Sequence, residues 1–316
     1  MERKITRRSA IKRMGAAVAG VAVSGTLPAF AVKAMGVEDA PQNVIPGNQN
    51  RQNADSQPAA QADDPKASTL KMDYKLVYEG PDVVFHQIDE HLWVGNGHQM
   101  YNESVYIVEG EDRAMLIDTG TRIDHLDEIV AGITKKPLTV ALTHTHGDHA
   151  GSVKWFDEIW MMQADGIRPP RGYEGRISYI SNHQKFELGG RTLEAFYTPG
   201  HTRDSVTFID SRNHLALSGD AFGSTNLLMT CELSTFIRTA EETLKMMCDK
   251  EIYYMLPGHF DGTNAETSKR VYDLWVVATE VLAGKREGEI SSSGMGLNRR
   301  VTYEGVRFNY NDRMLK

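Results

Sequence analysis

Four short apolar runs in this chain each stop on a residue able to hold a metal or a proton. They are AMLIDTG (114–120), PLTVALTHTH (137–146), HLALSGD (214–220) and IYYMLPGH (252–259). Apolar runs of this length, bounded by Gly, Pro and Asp, read as strands buried on both faces. Such strands have to sit in sheets covered by further layers. A carboxylate or imidazole at the end of a buried strand needs a partner. The chain is therefore constrained to layered sheets whose strand ends gather polar groups at one place.

The rest of the chain agrees with that plan. YKLVYE (74–79), VVFHQI (83–88), HLWVGN (91–96) and SVYIVEG (104–110) read as strands, and IDHLDEIVAGI (123–133) has a helical period. SVKWF (152–156) begins a helix and EIWMM (158–162) is a strand. Residues 165–182, with two prolines and three glycines, read as an inserted loop. FELGG (186–190), RTLEAFYTPGH (191–201) and SVTFIDS (205–211) continue the β pattern. A helix over 234–248 with Ser234 as N-cap, a long helix over 264–283 and a hairpin around Glu304-Gly305 complete it. Strands then helix, twice over, predicts an α+β fold of face-to-face sheets with helices outside. No GxGxxG or P-loop pattern occurs, which weighs against nucleotide binding.

The first 31 residues read as an address. A basic stretch, ITRRSAIKRM (5–14), precedes an Ala/Gly-rich apolar run ending in small residues, the order of a signal peptide. Arg7 and Arg8 resemble the twin-arginine export signature, although Ala10 replaces the usual bulky apolar residue. The alternative is an uncleaved anchor, for which the run is weakly apolar. Residues 32–69 are rich in Asn, Gln, Asp, Pro and Ala and read as a linker, so the folded domain is expected over 70–316. Net charge is −7; without residues 1–31 it is −12, from 29 basic and 41 acidic residues. A chain this acidic is a poor match for nucleic acid. Its two cysteines, Cys231 and Cys248, form no cysteine-rich metal site and read as free thiols, with one disulfide as the alternative.

The chemistry gathers in LTHTHGDHAG (142–151). In an extended segment i and i+2 point the same way, so His144 and His146 can grip one ion. Asp148 and His149, at the start of a helix, face elsewhere and could hold a second. Alone, this could equally be a polar loop. His201, Asp220 and His259, each at a strand end beside Gly, make one convergent site the better reading.

In type and order, His144-x-His146-x-Asp148-His149, His201, Asp220 and His259 resemble the dinuclear site of the metallo-β-lactamase superfamily. LIDTG (116–120), TPGHT (198–202) and SGD (218–220) resemble its companion motifs. The resemblance spans roughly residues 85–265 with no substitution at the seven positions. It implies a four-layer αβ/βα sandwich and two divalent ions, zinc first, with iron or manganese as alternatives. It also implies one ion on His144, His146 and His201, another on Asp148, His149 and His259, and Asp220 bridging both. Asp118 would orient a ligand imidazole, its alternative being a strand-end turn residue. Two cations lower the pKa of a shared water from about 15.7 towards about 7, and Asp148 could move the proton to the leaving group.

The function this implies is an exported hydrolase of a small ester, thioester, lactone or amide, with β-lactams included. A second class is a mononuclear iron oxygenase of the persulfide dioxygenase type, using His144, His201 and Asp220. His98, Tyr101 and Asn102 in GNGHQMYNES (95–104) are gate candidates, against a solvated hairpin. Phe222 could line the pocket or pack. The partners expected are a small-molecule substrate and, transiently, the twin-arginine machinery in a bacterial periplasmic or extracellular setting. No nucleic acid and no stable membrane anchor are expected, and the oligomeric state is not set by the sequence.

Overall fold

The computed structural model describes residues 75–223, 226–291 and 293–316. The signal-like segment (1–31), the linker (32–69) and the first five residues of the expected domain lie outside the described residues.

Eight strands form the first sheet, side by side in chain order. They are β1 (Lys75–Glu79), β2 (Val83–Asp89), β3 (Leu92–Gly97), β4 (Ser104–Glu109), β5 (Ala114–Ile117), β6 (Leu138–Ala141), β7 (Glu158–Met162) and β8 (Arg176–Ile180). The first five pair antiparallel, and β5 to β8 run parallel. Helix α1 (Leu126–Ile133) makes the crossover from β5 to β6. The second sheet is built from β9 (Lys185–Glu187), β10 (Thr192–Tyr197), β11 (Val206–Asp210), β12 (Leu215–Gly219) and a later strand, β14 (Tyr254–Pro257). Between β12 and β14 come the two-residue strand β13 (Leu227–Leu228) and helix α2 (Leu233–Asp249). The pairing of β12 with β14 is parallel, and the others in this sheet are antiparallel.

Three apolar clusters define the layers. Leu92, Val94, Tyr106, Met115 and Ile117 of the first sheet meet Leu193, Ala195, Val206, Phe208 and Leu217 of the second. The outer face of the first sheet, through Phe85, Val105, Ile107 and Leu116, packs on Leu126 and Val130 of α1. The outer side of the second carries α2 and α3 (Ser268–Leu282), through Phe236, Met247, Val271 and Val277. This is the α+β fold of face-to-face sheets with helices outside that the strand patterns predict, and the four-layer sandwich that the resemblance implies. Each buried Leu, Ile or Phe side chain contributes on the order of 1.5–3 kcal/mol. The Met161–Met162 and Met246–Met247 pairs are buried in the core.

Several elements differ from the sequence reading. Helix α1 starts at Leu126, because His125 is left-handed (φ 52°) and residues 123–125 form a turn. SVKWF yields one 3-10 turn, Val153–Trp155, and Asp148-His149 lie in a turn, not at a helix start. The loop expected over 165–182 contains β8, which pairs with β7 over five residues. Glu232, not Ser234, occupies the N-cap position of α2 and makes no side-chain cap hydrogen bond; Thr267 caps α3, its side chain accepting from the Arg270 N–H. The closing hairpin exists as β16 (Arg299–Tyr303) and β17 (Val306–Tyr310), but it belongs to a third sheet. There β13 pairs parallel with β17, and β15 (Glu289–Ile290) flanks β16. Cys231 and Cys248 form no disulfide, and burial pushes the Cys231 thiol up to about 11. Among the described residues, no helix is long and apolar enough to cross a membrane.

Candidate metal centre

All seven ligand candidates converge beyond the C-terminal ends of the buried strands. His144, His146, Asp148 and His149 follow β6, His201 follows β10, Asp220 follows β12 and His259 follows β14. They form two groups, His144 with His146 and His201, and Asp148 with His149, Asp220 and His259. In the first group, Nδ1 of His146 lies 3.1 Å from Nε2 of His144 and 3.0 Å from Nε2 of His201. Three nitrogens around one zinc, with arms of about 2.1 Å, would stand roughly 3.4 Å apart, so the triangle is nearly of ligating size. In the second, His259 Nε2 is 3.5 Å from Asp148 Oδ2 and 3.4 Å from Asp220 Oδ2, and His149 Nε2 is 3.5 Å from Asp220 Oδ1. Asp220 Oδ2 also stands 3.6 Å from His201 Nε2, so one carboxylate faces both groups.

Four of the five imidazoles are oriented by hydrogen bonds through the nitrogen that faces away from the cluster. His149 Nδ1 donates to Asp118 Oδ2 (2.8 Å), His201 Nδ1 to the Leu228 carbonyl (2.7 Å) and His259 Nδ1 to the Tyr101 carbonyl (3.2 Å). His144 Nδ1 meets Thr143 Oγ1 at 3.1 Å, and that hydroxyl donates to Asp118 Oδ2 at 2.7 Å. Each of these partners engages Nδ1 and so aims Nε2 at the cluster. Asp118 itself is held in a left-handed turn (φ 63°) by the Thr143 N–H at 2.7 Å. The backbone is equally committed. A Cβ at Gly258 would lie 2.4 Å from Asp220 Oδ1 and 2.5 Å from the His149 ring, so only glycine lets the chain pass there.

The two groups differ electrostatically. Burial pushes His144, His146 and His201 down, His146 to about 4, so these rings are neutral near pH 7. Burial opposes charge on His149 and His259, but the Asp220 carboxylate, joined at His149 by Asp118 and at His259 by Asp148, offsets it and holds both above the usual histidine range. The same two imidazoles hold Asp220 well below the usual carboxylate range against its own burial. His149 Nε2 and Asp220 Oδ1 are buried without a hydrogen-bond partner although they face each other. Two orphaned donor atoms, within a set of nitrogen and carboxylate oxygens, are what a divalent cation would satisfy. The residues fit the group.

The remaining candidates divide. Tyr101 reaches the cluster through its carbonyl, with its side chain 80% exposed. The His98 ring bonds the Pro81 carbonyl, and the Asn102 carbonyl accepts from Asn96; neither meets a ligand residue. Phe222 is fully buried against Phe236 and packs. The other histidines serve structure or surface, His125 stacking on Trp155 and His183 pairing with Glu194. One residue escaped the sequence reading. Asp204, buried, accepts from both the N–H and the hydroxyl of Thr145, which links His144 to His146. Its only signal is an acid three residues after His201.

Comparison with known proteins agrees with this geometry. The model of the metallo-β-lactamase superfamily matches residues 100–259. The human acyl-coenzyme A thioesterase MBLAC2 is 24% identical over 218 residues, 55% of this chain and 78% of that protein. The atrochrysone carboxyl ACP thioesterase of Aspergillus chevalieri is 31% identical over 131 residues, 39% of this chain and 41% of that one. A solved metallo-β-lactamase from Pontibacter korlensis superposes with a TM-score of 0.50 at 17% identity, covering 63% of this chain and 99% of that one, and shares the fold. The sandwich, the ligand geometry and a family match over half its length together establish that this chain belongs to the metallo-β-lactamase superfamily, as a metal-dependent hydrolase.

Proposed function

We propose that the chain hydrolyses thioesters at a site holding two divalent ions, zinc first. One ion would sit on His144, His146 and His201, the other on Asp148, His149 and His259, with Asp220 between them. The observation that carries this reading is the position of Asp220, whose Oδ2 lies 3.6 Å from His201 Nε2 and 3.4 Å from His259 Nε2, one from each group. Thioester chemistry is supported by the names of two relatives, which are thioesterases.

When bound, such ions supply an acidified water and a Lewis acid for the carbonyl oxygen. The chain's own residues do the rest. Asp118, Thr143 and the Leu228 and Tyr101 carbonyls hold the imidazoles in place, so little reorganisation accompanies reaction. In hydrolysis the water oxygen bonds to the carbonyl carbon, the C–S bond breaks and the thiolate takes up a proton. Asp148, half-buried and lining an open cleft, is placed to move that proton. We also propose export through the twin-arginine route, which Arg7→Lys with Arg8→Lys should block, leaving the protein in the cytoplasm.

The test is thiol release from a panel of acyl thioesters beside lactone, β-lactam and phosphodiester substrates. Thioester hydrolysis lost to a chelator and restored by zinc is the expected result. Activity indifferent to chelation, or confined to the other classes, contradicts the reading.

A further inference from the structure

Beside the metal centre lies a cleft of about 660 Å³, within the usual range for small-molecule sites. Asp148 of the ligand cluster lines it together with Arg122, Lys154, Arg171, Met100 and Tyr173. The three cations come from separate segments: the loop after β5, the 3-10 turn at 153–155 and the turn before β8. Among the described residues, neither the Arg122 nor the Arg171 guanidinium has an ion-pair partner. Lys154 meets only Asp124, at 3.7 Å and in solvent, and lies over the Trp155 ring. Asp148 is the single acid in the lining. In a chain of net charge −7, three cations around one cleft amount to a local reversal of field.

Resting on the thioesterase reading, we infer that this cleft binds the phosphate-bearing arm of the thiol leaving group, a phosphopantetheine. Paired guanidiniums match phosphate oxygens by bidentate hydrogen bonding, and Lys154 adds a point charge. With the phosphates on the cations, the arm's sulfur end points along the cleft to Asp148 and the ligand cluster. The arm could belong to coenzyme A or to a carrier protein. The two share this chemistry.

The experiment compares kcat/KM for one acyl group carried by coenzyme A, by a carrier protein and by pantetheine, which lacks the phosphates. Wild-type protein should favour a phosphate-bearing thioester by about tenfold or more at low salt, with the preference shrinking as salt rises. The Arg122→Gln/Arg171→Gln double variant should lower that preference about tenfold, chiefly through KM, while Arg122→Lys/Arg171→Lys retains most of it. Lys245→Gln, an exposed charge on α2, should leave the preference unchanged. Preference for the carrier-protein ester over the coenzyme A ester identifies the source of the arm. Equal rates on all three thioesters, or a preference untouched by the double variant, overturns the inference and leaves the thioesterase reading standing. Calorimetric titration with coenzyme A alone requires no turnover. Binding weakened by the double variant supports the cleft even if no thioester is hydrolysed, and no detectable binding overturns it.

Discussion

The two halves of the metal cluster share one carboxylate and hold protons in opposite ways. His144, His146 and His201 stand among apolar strand ends, where burial keeps them neutral. His149 and His259 stand against Asp220, which draws protons onto them. On the proposed two-ion reading, an incoming cation would find free lone pairs on the three-histidine side and would have to displace protons on the other. Two similar donor sets would then not fill together: the three-histidine side would take its ion directly, and the carboxylate side would exchange protons for it.

Changes at the shared residue should do most damage. Asp220→Ala should empty both sides and lower kcat/KM on the order of 10³-fold or more, read by elemental analysis alongside turnover. Retention of two ions would show that Asp220 is not shared. His146→Ala and His259→Ala should each lose most activity and one of the two ions, but from different positions, one emptying the three-histidine side and the other the carboxylate side. Loss of the same ion in both variants would erase the distinction. Asp118→Ala, which removes the carboxylate behind His149, should weaken metal affinity or activity by about 10–100-fold. Its effect should fall mainly on the carboxylate side, with a smaller loss at His144, which Asp118 reaches through the Thr143 hydroxyl.

The smallest effect is the pH dependence. A group whose pKa is raised holds its proton to higher pH, so its metal affinity begins to fall at higher pH as the solution is acidified. His149 and His259 are raised and His146 lies at about 4. The carboxylate side should thus lose its ion first, with affinity falling about tenfold per pH unit for each proton displaced, while the three-histidine side holds its ion to lower pH. Simultaneous release of both ions on acidification would break the comparison.

Much of this site was legible because strand ends expose their chemistry in the sequence. LTHTHGDH, YTPGH, LALSGD and LPGH carry the candidate ligands, AMLIDTG carries the Asp118 behind one of them, and sheets packed face to face with helices outside follow from the buried strands that carry them. What stayed hidden rests on atoms that every residue has. The carbonyls of Tyr101 and Leu228 orient two ligands, and no sequence pattern distinguishes one carbonyl from another. Strand β13, which brings Leu228 there, is two residues long and pairs with β17 nearly eighty positions later. The strand inside 165–182 was obscured by its prolines and glycines, which lie before the pairing residues. Arg122, Lys154 and Arg171 are unremarkable surface charges until three separate segments bring them around one cleft.

The central claim, that one site holds two ions through a shared Asp220, is tested most directly by elemental analysis of the purified wild-type protein near neutral pH. The account predicts two divalent ions per chain, falling to one in His259→Ala. A single iron per wild-type chain with oxygen consumption, or two ions undiminished in His259→Ala, would contradict it.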